Sequence, residues 1–399
     1  MNIYTPAKYS LGIIARVINF IVPIKKHYWV MGADDGKTYR ECPKYLLEYM
    51  LSNHPDYNCC FITRSKHVCK MLKSKGIPCE LNYSFRGLVK ISMAECIFTA
   101  MTPADILYCF KKKGRRVFYM GHGMPLKIAF YALEKYPEYM KKAGLKKSNR
   151  LIEWIHHLFI NQYDFKDCDF FPATSKFTKW CNDFVFCNKL DVRILGYPRN
   201  DAFFQPERMA KENWIKGIDN KFIVTYMPTH RLYGHGDVTP TPFMDNMEVQ
   251  KWMKDNNIVF IVKNHPNMAA KVKNPYNSEC VIDITSSGVD PQVALYYSDV
   301  LVTDHSSVWT DYLILRRPVI FYFYDNFEDN DTGNLYDIRE DPPGHICYSE
   351  EELFELIKKC KGRYDSMIPS NHIIDKYHKF VDGNSCERFY NEVIRTVKC

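Results

Sequence analysis

The chain has fifteen cysteines but no C-x-x-C pair; their spacing is irregular and their number is odd. Neither a zinc site nor a closed disulfide framework is suggested, and a reducing cytosol is the simplest home. Nowhere do about twenty apolar residues follow one another, the length that a bilayer-spanning helix needs. No low-complexity tract, internal repeat or long Gly/Ser linker interrupts the chain, which excludes extended disorder and leaves nearly all of it to fold. The first residues lack a charged segment leading directly into an apolar run with a small-residue cleavage site, so no cleaved signal peptide is expected. No D-x-D pair or carboxylate cluster is placed to mark a metal site. No tightly bound cofactor is expected, and a loosely bound magnesium is the most the pattern accommodates. The basic residues come without a base-reading motif, which sets nucleic acid aside as a partner.

What is present is a globular composition, 46% apolar and 25% charged over 399 residues. That length exceeds what one hydrophobic core usually serves, so two domains are expected. The formal charge is +8, and basic residues concentrate in the first half, as Lys25-Lys26, Lys111 to Arg116, Lys141-Lys142 and Lys146-Lys147. Such clusters suit an anionic membrane surface or a phosphate-bearing acceptor; a solvated basic face reads the same way. The segment Leu11 to Ile24 is strongly apolar but carries Arg16 and Asn19 and stops at Pro23. With Ile13, Ile14, Val17, Ile18 and Ile21 on one side, it reads as an amphipathic helix lying in a membrane interface. Packing on the protein's own core is the alternative.

Strand and helix patterns alternate along the rest. Strands are expected at His27 to Asp35, Cys59 to Arg64, Cys96 to Ala100 and Arg116 to Met120, with helices at Tyr39 to Leu51 and Val68 to Gly76. After a looser stretch, a fresh set begins at Lys221 to Pro228 and continues with Asn257 to Pro266, Cys280 to Thr285, Ser298 to Asp304 and Arg317 to Tyr324. Such alternation implies parallel sheets with helices on both faces. The expected fold class is therefore α/β, with a surface segment at 1–26, one α/β domain at 27–210 and a second at 211–399. Two such domains in tandem place their strand C-termini around a shared cleft, where open α/β sheets bind ligands.

The polar signals fall at those strand ends. In YMGHGMPLK, Tyr119 to Lys127, His122 stands between two glycines, suited to take a proton from a hydroxyl near neutral pH. YMPTHR supplies the Thr229 hydroxyl and the Arg231 guanidinium, a group able to hold phosphate oxygens bidentately. VKNHP supplies Lys263 and His265, suited to a diphosphate whose leaving group gathers negative charge. In TDHSSV a strand ends at Thr303-Asp304, and His305, Ser306 and Ser307 open a helix whose first-turn amides and hydroxyls make an anion site. Each motif alone also reads as a turn, a strand end or a helix cap.

Taken together, GHGMPLK, GYPRND, YMPTHR, VKNHP, TDHSSV and RRPVIFYFYD resemble, in order and rough spacing, the CDP-glycerol glycerophosphotransferase family of teichoic acid and capsular polymer synthesis. The resemblance covers about Tyr39 to Ile346. It implies a GT-B-like pair of Rossmann-like domains facing a central cleft, the acceptor-side domain first and the nucleotide-side domain second. It also implies peripheral association with the cytoplasmic face of the membrane through the N-terminal region. The expected activity is transfer of a polyol phosphate from a CDP-polyol donor to a lipid-linked or polymer acceptor. On that reading His122, His265 and Asp304 are the catalytic residues, Asp304 orienting the diphosphate-holding group or capping the helix. Thr229, Arg231, Lys263, Ser306 and Ser307 hold the donor phosphates, and Lys127, Arg199 and Asp201 lie on the acceptor side. His305, Met124 and His230 depart from the family's usual residues, which leaves the polyol and the acceptor open. A nucleotide-sugar glycosyltransferase and a non-catalytic binder of anionic polymer are the rival readings.

Overall fold

The computed structural model describes residues 6–100, 102–142, 150–212, 215, 218–229, 242–243, 246–264, 278–324 and 333–398. The chain opens with α1 (Pro6–Ile21), then β1 (Lys25–Gly32), α2 (Glu41–Asn53), β2 (Asn58–Thr63), α3 (Lys66–Ser74), β3 (Cys79–Leu81), α4 (Phe85–Met93), β4 (Ala94–Thr99) and β5 (Arg116–Tyr119). It continues through α5 (Pro137–Lys142), α6 (Arg150–Phe159), β6 (Phe171–Ala173), α7 (Lys176–Val185), β7 (Val192–Ile194) and α8 (Pro206–Glu212). The later elements are β8 (Phe222–Tyr226), α9 (Met247–Asp255), β9 (Ile258–Val262), β10 (Val281–Asp283), α10 (Pro291–Tyr297), β11 (Val300–Thr303), α11 (Val308–Tyr312), β12 (Val319–Tyr322), β13 (His345–Cys347), α12 (Glu350–Gly362), α13 (Asn371–Tyr377) and α14 (Ser385–Lys398).

Two parallel sheets organise these elements. The first has strand order β3-β2-β1-β4-β5 and the second β10-β9-β8-β11-β12-β13, with a short parallel pair β6-β7 beside the first. Every strand of the larger sheet pairs in parallel. Parallel sheets are covered on both faces, and the strands CCFI and IVFIV accordingly carry no residue that needs water. Side-chain caps start the helices locally: Ser65, Ser84, Ser175 and Ser349 each accept a backbone N–H from the first turn of the helix that follows.

The first lobe's main core stacks Trp29, Phe98, Phe118 and Phe170 behind the sheet, and its last layer is Phe389 and Val393 of α14. Burying each such side chain contributes roughly 1.5–3 kcal/mol. The C-terminal helix thus crosses back to the first lobe. This corrects the expected second domain of 211–399, because α14 has its apolar partners in the other half of the chain.

Helix α1 packs through Ala15 and Ile18 onto Leu88, Tyr108, Phe110 and Ile160, while Ile13, Ile14, Val17, Phe20 and Ile21 stay exposed. Ile18, expected among the membrane-facing residues, is on the buried side. Beneath α1, the buried Arg115 donates to Asn19 Oδ1 at 3.0 Å and to the carbonyls of Phe110, Ile91, Ser92 and Ala94. Lys111 pairs with Asp167 and Arg116 with Asp169. The run Lys111 to Arg116, read as suiting either an anionic partner or a solvated basic face, is spent largely on holding the N-terminal helix and neighbouring loops. Among the described residues, no helix is long and apolar enough to cross a membrane.

Candidate active site

Strand order in the second sheet reverses between β8 and β11, and loops leaving adjacent strands at such a point open a crevice at their C-terminal edge. Strand β8 runs into Met227-Pro228-Thr229, and β11 into Asp304 and the two serines. Asp304, 1% exposed, accepts the Thr229 backbone N–H at 2.7 Å, and the Thr303 hydroxyl donates to the Met227 carbonyl at 2.7 Å. The carboxylate therefore ties the two loops together where the crevice opens. Partly exposed Ser306 and Ser307 come next, and the His305 ring lies 4.7 Å from that of Phe323. Helix α11 has only five residues before a tighter turn at Leu313–Leu315. The expected anion site thus rests on hydroxyls and backbone amides with little aligned dipole behind them.

Lys263 follows β9, its backbone N–H donated to the Tyr226 carbonyl at 2.9 Å. Burial pushes its ammonium down to about 8; Asp290 and Asp283 pull it partly back, and Arg40 of the first lobe adds to the depression. The free ammonium is charged below pH 8 and neutral above it. Its folded value lies below the usual 10.5, so charging it costs stability, and that cost disappears as pH rises from about 8 towards 10.5. Its attraction for a donor diphosphate has the opposite sign: present below about pH 8 and lost above. We expect kcat/KM for the donor to fall above pH 8, and Lys263→Arg, charged throughout, to extend the plateau by more than one pH unit. Identical profiles for the two proteins would remove Lys263 from donor binding.

In the first lobe, β5 leads into Met120-Gly121-His122-Gly123, and His122 is exposed at the rim. Gly121 has φ +72°, and a Cβ there would lie 2.9 Å from the Phe171 ring, so the tight turn needs glycine. At Gly123 a Cβ would lie 2.6 Å from Ser307 Oγ and 3.8 Å from Arg199 Nη2. The histidine loop of one lobe therefore rests on the serine turn of the other. Just beyond, residues 126–128 pair with 333–335: Leu335 N–H donates to the Leu126 carbonyl at 2.8 Å and Ile128 N–H to that of Gly333 at 3.1 Å. Lys127 sits in this strap, opposite Asn334.

Two expected acceptor-side residues are engaged elsewhere. Arg199, 5% exposed, is held by Asp311 and Glu41. Asp201 accepts the backbone N–H groups of Ser385 at 2.8 Å and Cys386 at 2.7 Å, which caps α14. Both side chains are buried and hold protein partners rather than lying open to an acceptor phosphate. Arg231 and His265 lie outside the described residues. Among the described residues, no group of three or more His, Cys, Asp or Glu gathers as for a metal ion.

Sequence reasoning missed the first turn of α2, where Arg40, Glu41 and Lys44 face the second lobe. Lys44 Nζ is 3.0 Å from Asp290, the cap of α10, and 2.7 Å from Glu212. Its signal is a charge buried inside an apolar helical run; Asp311, within SVWTDYLI, carries the same signal.

Two parallel α/β lobes meet where the histidine loop of one rests on the serine turn of the other. The chain belongs to the CDP-Glycerol:Poly(glycerophosphate) glycerophosphotransferase family, which matches residues 14–395. It is 26% identical to the teichoic acid poly(glycerol phosphate) polymerase of Bacillus subtilis strain 168 over 94% of this chain, and spans about half of that relative, 49%. Against the polymerase of the same name from Bacillus spizizenii it is 25% identical, covering 96% of this chain and 95% of the relative. The solved structure of the wall teichoic acid polymerase TagF superposes with a TM-score of 0.73 at 20% identity, covering 99% of each chain. That likeness establishes the α/β fold with its parallel sheets.

Proposed function

We propose that this protein transfers a polyol phosphate, glycerol phosphate in the first place, from a CDP-activated donor to a hydroxyl of a membrane-linked acceptor. The polymer under construction is teichoic-acid-like, as in the relatives' names. His122 takes the proton of the acceptor hydroxyl as its oxygen attacks the phosphorus bonded to the polyol. The bond from that phosphorus to the bridging oxygen breaks, and CMP leaves with the electron pair. Such a transfer needs in-line positioning and charge neutralisation more than covalent help. Lys263, Ser306, Ser307 and Thr229 contribute the donor-side groups, with Asp304 tying their loops, and Arg231 and His265 join them on the strength of their motifs. The two facing sheets support the GT-B-like arrangement, with the acceptor on the first lobe and the nucleotide on the second.

The single observation that carries this reading is the contact of Gly123 with Ser307. It brings a general-base candidate on one lobe beside phosphate-suited hydroxyls on the other. The reading is tested by offering CDP-glycerol, CDP-ribitol and other CDP-polyols with a lipid-linked acceptor and weighing the product. The expected gain is one polyol phosphate per turnover, and a sugar-nucleotide screen that yields glycosides instead would overturn it.

The exposed face of α1 supports docking on the cytoplasmic face of an anionic membrane. Ile13, Ile14, Val17, Phe20 and Ile21 offer apolar contact, and Arg16, Lys25 and Lys26 stand near them. Phe20→Ser together with Ile14→Ser is expected to lower sedimentation with anionic vesicles at least tenfold, since each removes roughly 1.5 kcal/mol or more of apolar burial. Unchanged sedimentation of the folded variant would assign that face another role.

A further inference from the structure

The GYPRND turn of the first lobe buries an arginine between the lobes. Arg199 Nε donates to Asp311 Oδ2 at 2.7 Å and Nη1 to Glu41 Oε2 at 2.7 Å. Asp311 lies on α11, four residues past Ser307, and Glu41 opens α2. Asn200 Nδ2 donates to Asp311 Oδ1 at 3.1 Å. Gln292 of α10 donates both to Asp311 Oδ2 at 3.2 Å and to Asn200 Oδ1 at 3.1 Å. Three first-lobe residues, Glu41, Arg199 and Asn200, thus hold two second-lobe residues, Gln292 and Asp311, in one closed network.

Burial on this scale is a poor way to gain stability, because apolar residues of similar volume often do as well or better. What such a network supplies is register, since its groups are satisfied in one arrangement of the two lobes only. Its position is informative. Arg199 Nη2 lies beneath the point where Gly123 meets Ser307, at 3.8 Å from a Cβ built on that glycine. Any slide of one lobe on the other would break the Arg199–Asp311 bonds and move the serine turn away from His122 together.

We propose that Arg199 is a positioning residue, clamped between Glu41 and Asp311, that sets the spacing between the His122 loop and the Ser306-Ser307 turn. It contacts neither donor nor acceptor. The inference rests on the reading of those two loops as the two sides of the transfer site.

The test uses Arg199→Lys, Asp311→Asn and the milder Glu41→Gln in the full chain. CMP release from CDP-glycerol, KM for donor and for acceptor, and Tm are measured for each folded protein. Misplacement by about 1 Å costs on the order of 100-fold in rate. Arg199→Lys is therefore expected to lower kcat by about that factor with both KM values nearly unchanged, and Glu41→Gln to lower it less. Arg199→Lys combined with Asp311→Asn should be no worse than the more damaging single change, since both break one contact. Amide exchange in 120–124 and 304–308 should quicken in the variants while the sheet cores stay protected. A raised acceptor KM at unchanged kcat would make Arg199 a phosphate ligand and overturn the proposal. A lowered Tm with full activity per folded molecule would overturn it too, as a merely structural role. Failure of the unaltered protein to release CMP from any CDP-polyol would sink the transfer reading and the clamp with it. Turnover that persists in all three variants would sink the clamp alone.

Discussion

Replacing His122 with Ala is expected to lower CMP release by roughly 10²- to 10⁴-fold, the usual contribution of a positioned general base. The strand VFY of β5 ends at a turn that Gly121 makes possible, and the turn leaves His122 exposed. The ring is exposed and stands outside the first lobe's core clusters, so the variant should keep most of its Tm. CDP-glycerol should bind it almost as before, because the donor-side groups belong to the other lobe. The loss therefore falls on kcat, as expected for a group whose contribution is made in the transition state. His122→Gln, which keeps a polar side chain without a base of suitable basicity, should be as inactive. More than a tenth of the original turnover in the folded Ala variant would take His122 out of the chemistry.

Gly123→Ala should be nearly as damaging, for a steric reason. The added methyl would lie 2.6 Å from Ser307 Oγ at a backbone φ of +155°, a combination that L side chains rarely adopt. Turning the Ser307 hydroxyl aside relieves the contact but displaces a proposed donor ligand, while the strained backbone shifts the histidine loop, and each is one side of the proposed transfer site. A shift of about 1 Å in either is enough for roughly a 100-fold loss of kcat, with a stability cost of about 1–3 kcal/mol from the crowding. Removing the obstacle in the double variant Gly123→Ala with Ser307→Gly should restore Tm more than it restores turnover, since Ser307 is itself a proposed donor ligand. Unimpaired turnover in the single variant would mean that the two loops do not work in contact.

The strands were legible because both faces of a parallel sheet are buried, so CCFIT, IVFIV and VLVT stand out as apolar runs, their expected ends within a few residues of those observed. Strands β3 and β13, with three residues each, carry too little pattern to be seen. The return of α14 to the first lobe was illegible for a different reason. Its apolar stripe shows that it packs, but not on which core. The same limit explains Arg199 and Asp201, charged residues after a strand that resemble phosphate ligands until their partners are known. Those partners, Asp311 and the Ser385 N–H, lie 112 and 184 residues away along the chain. By contrast, the placing of the His122 and TDHSS motifs at strand ends is a property of the fold class, and they follow β5 and β11. That Gly123 meets Ser307 was not legible in the sequence.

The most direct test of the account is the identity of the nucleotide released when the purified protein turns over CDP-glycerol with its acceptor. Attack at the phosphorus that carries the polyol predicts CMP in amounts equal to the new phosphodiester, from the unaltered protein and not from His122→Ala. Release of CDP, or of no nucleotide with acceptor and membrane both present, would contradict it.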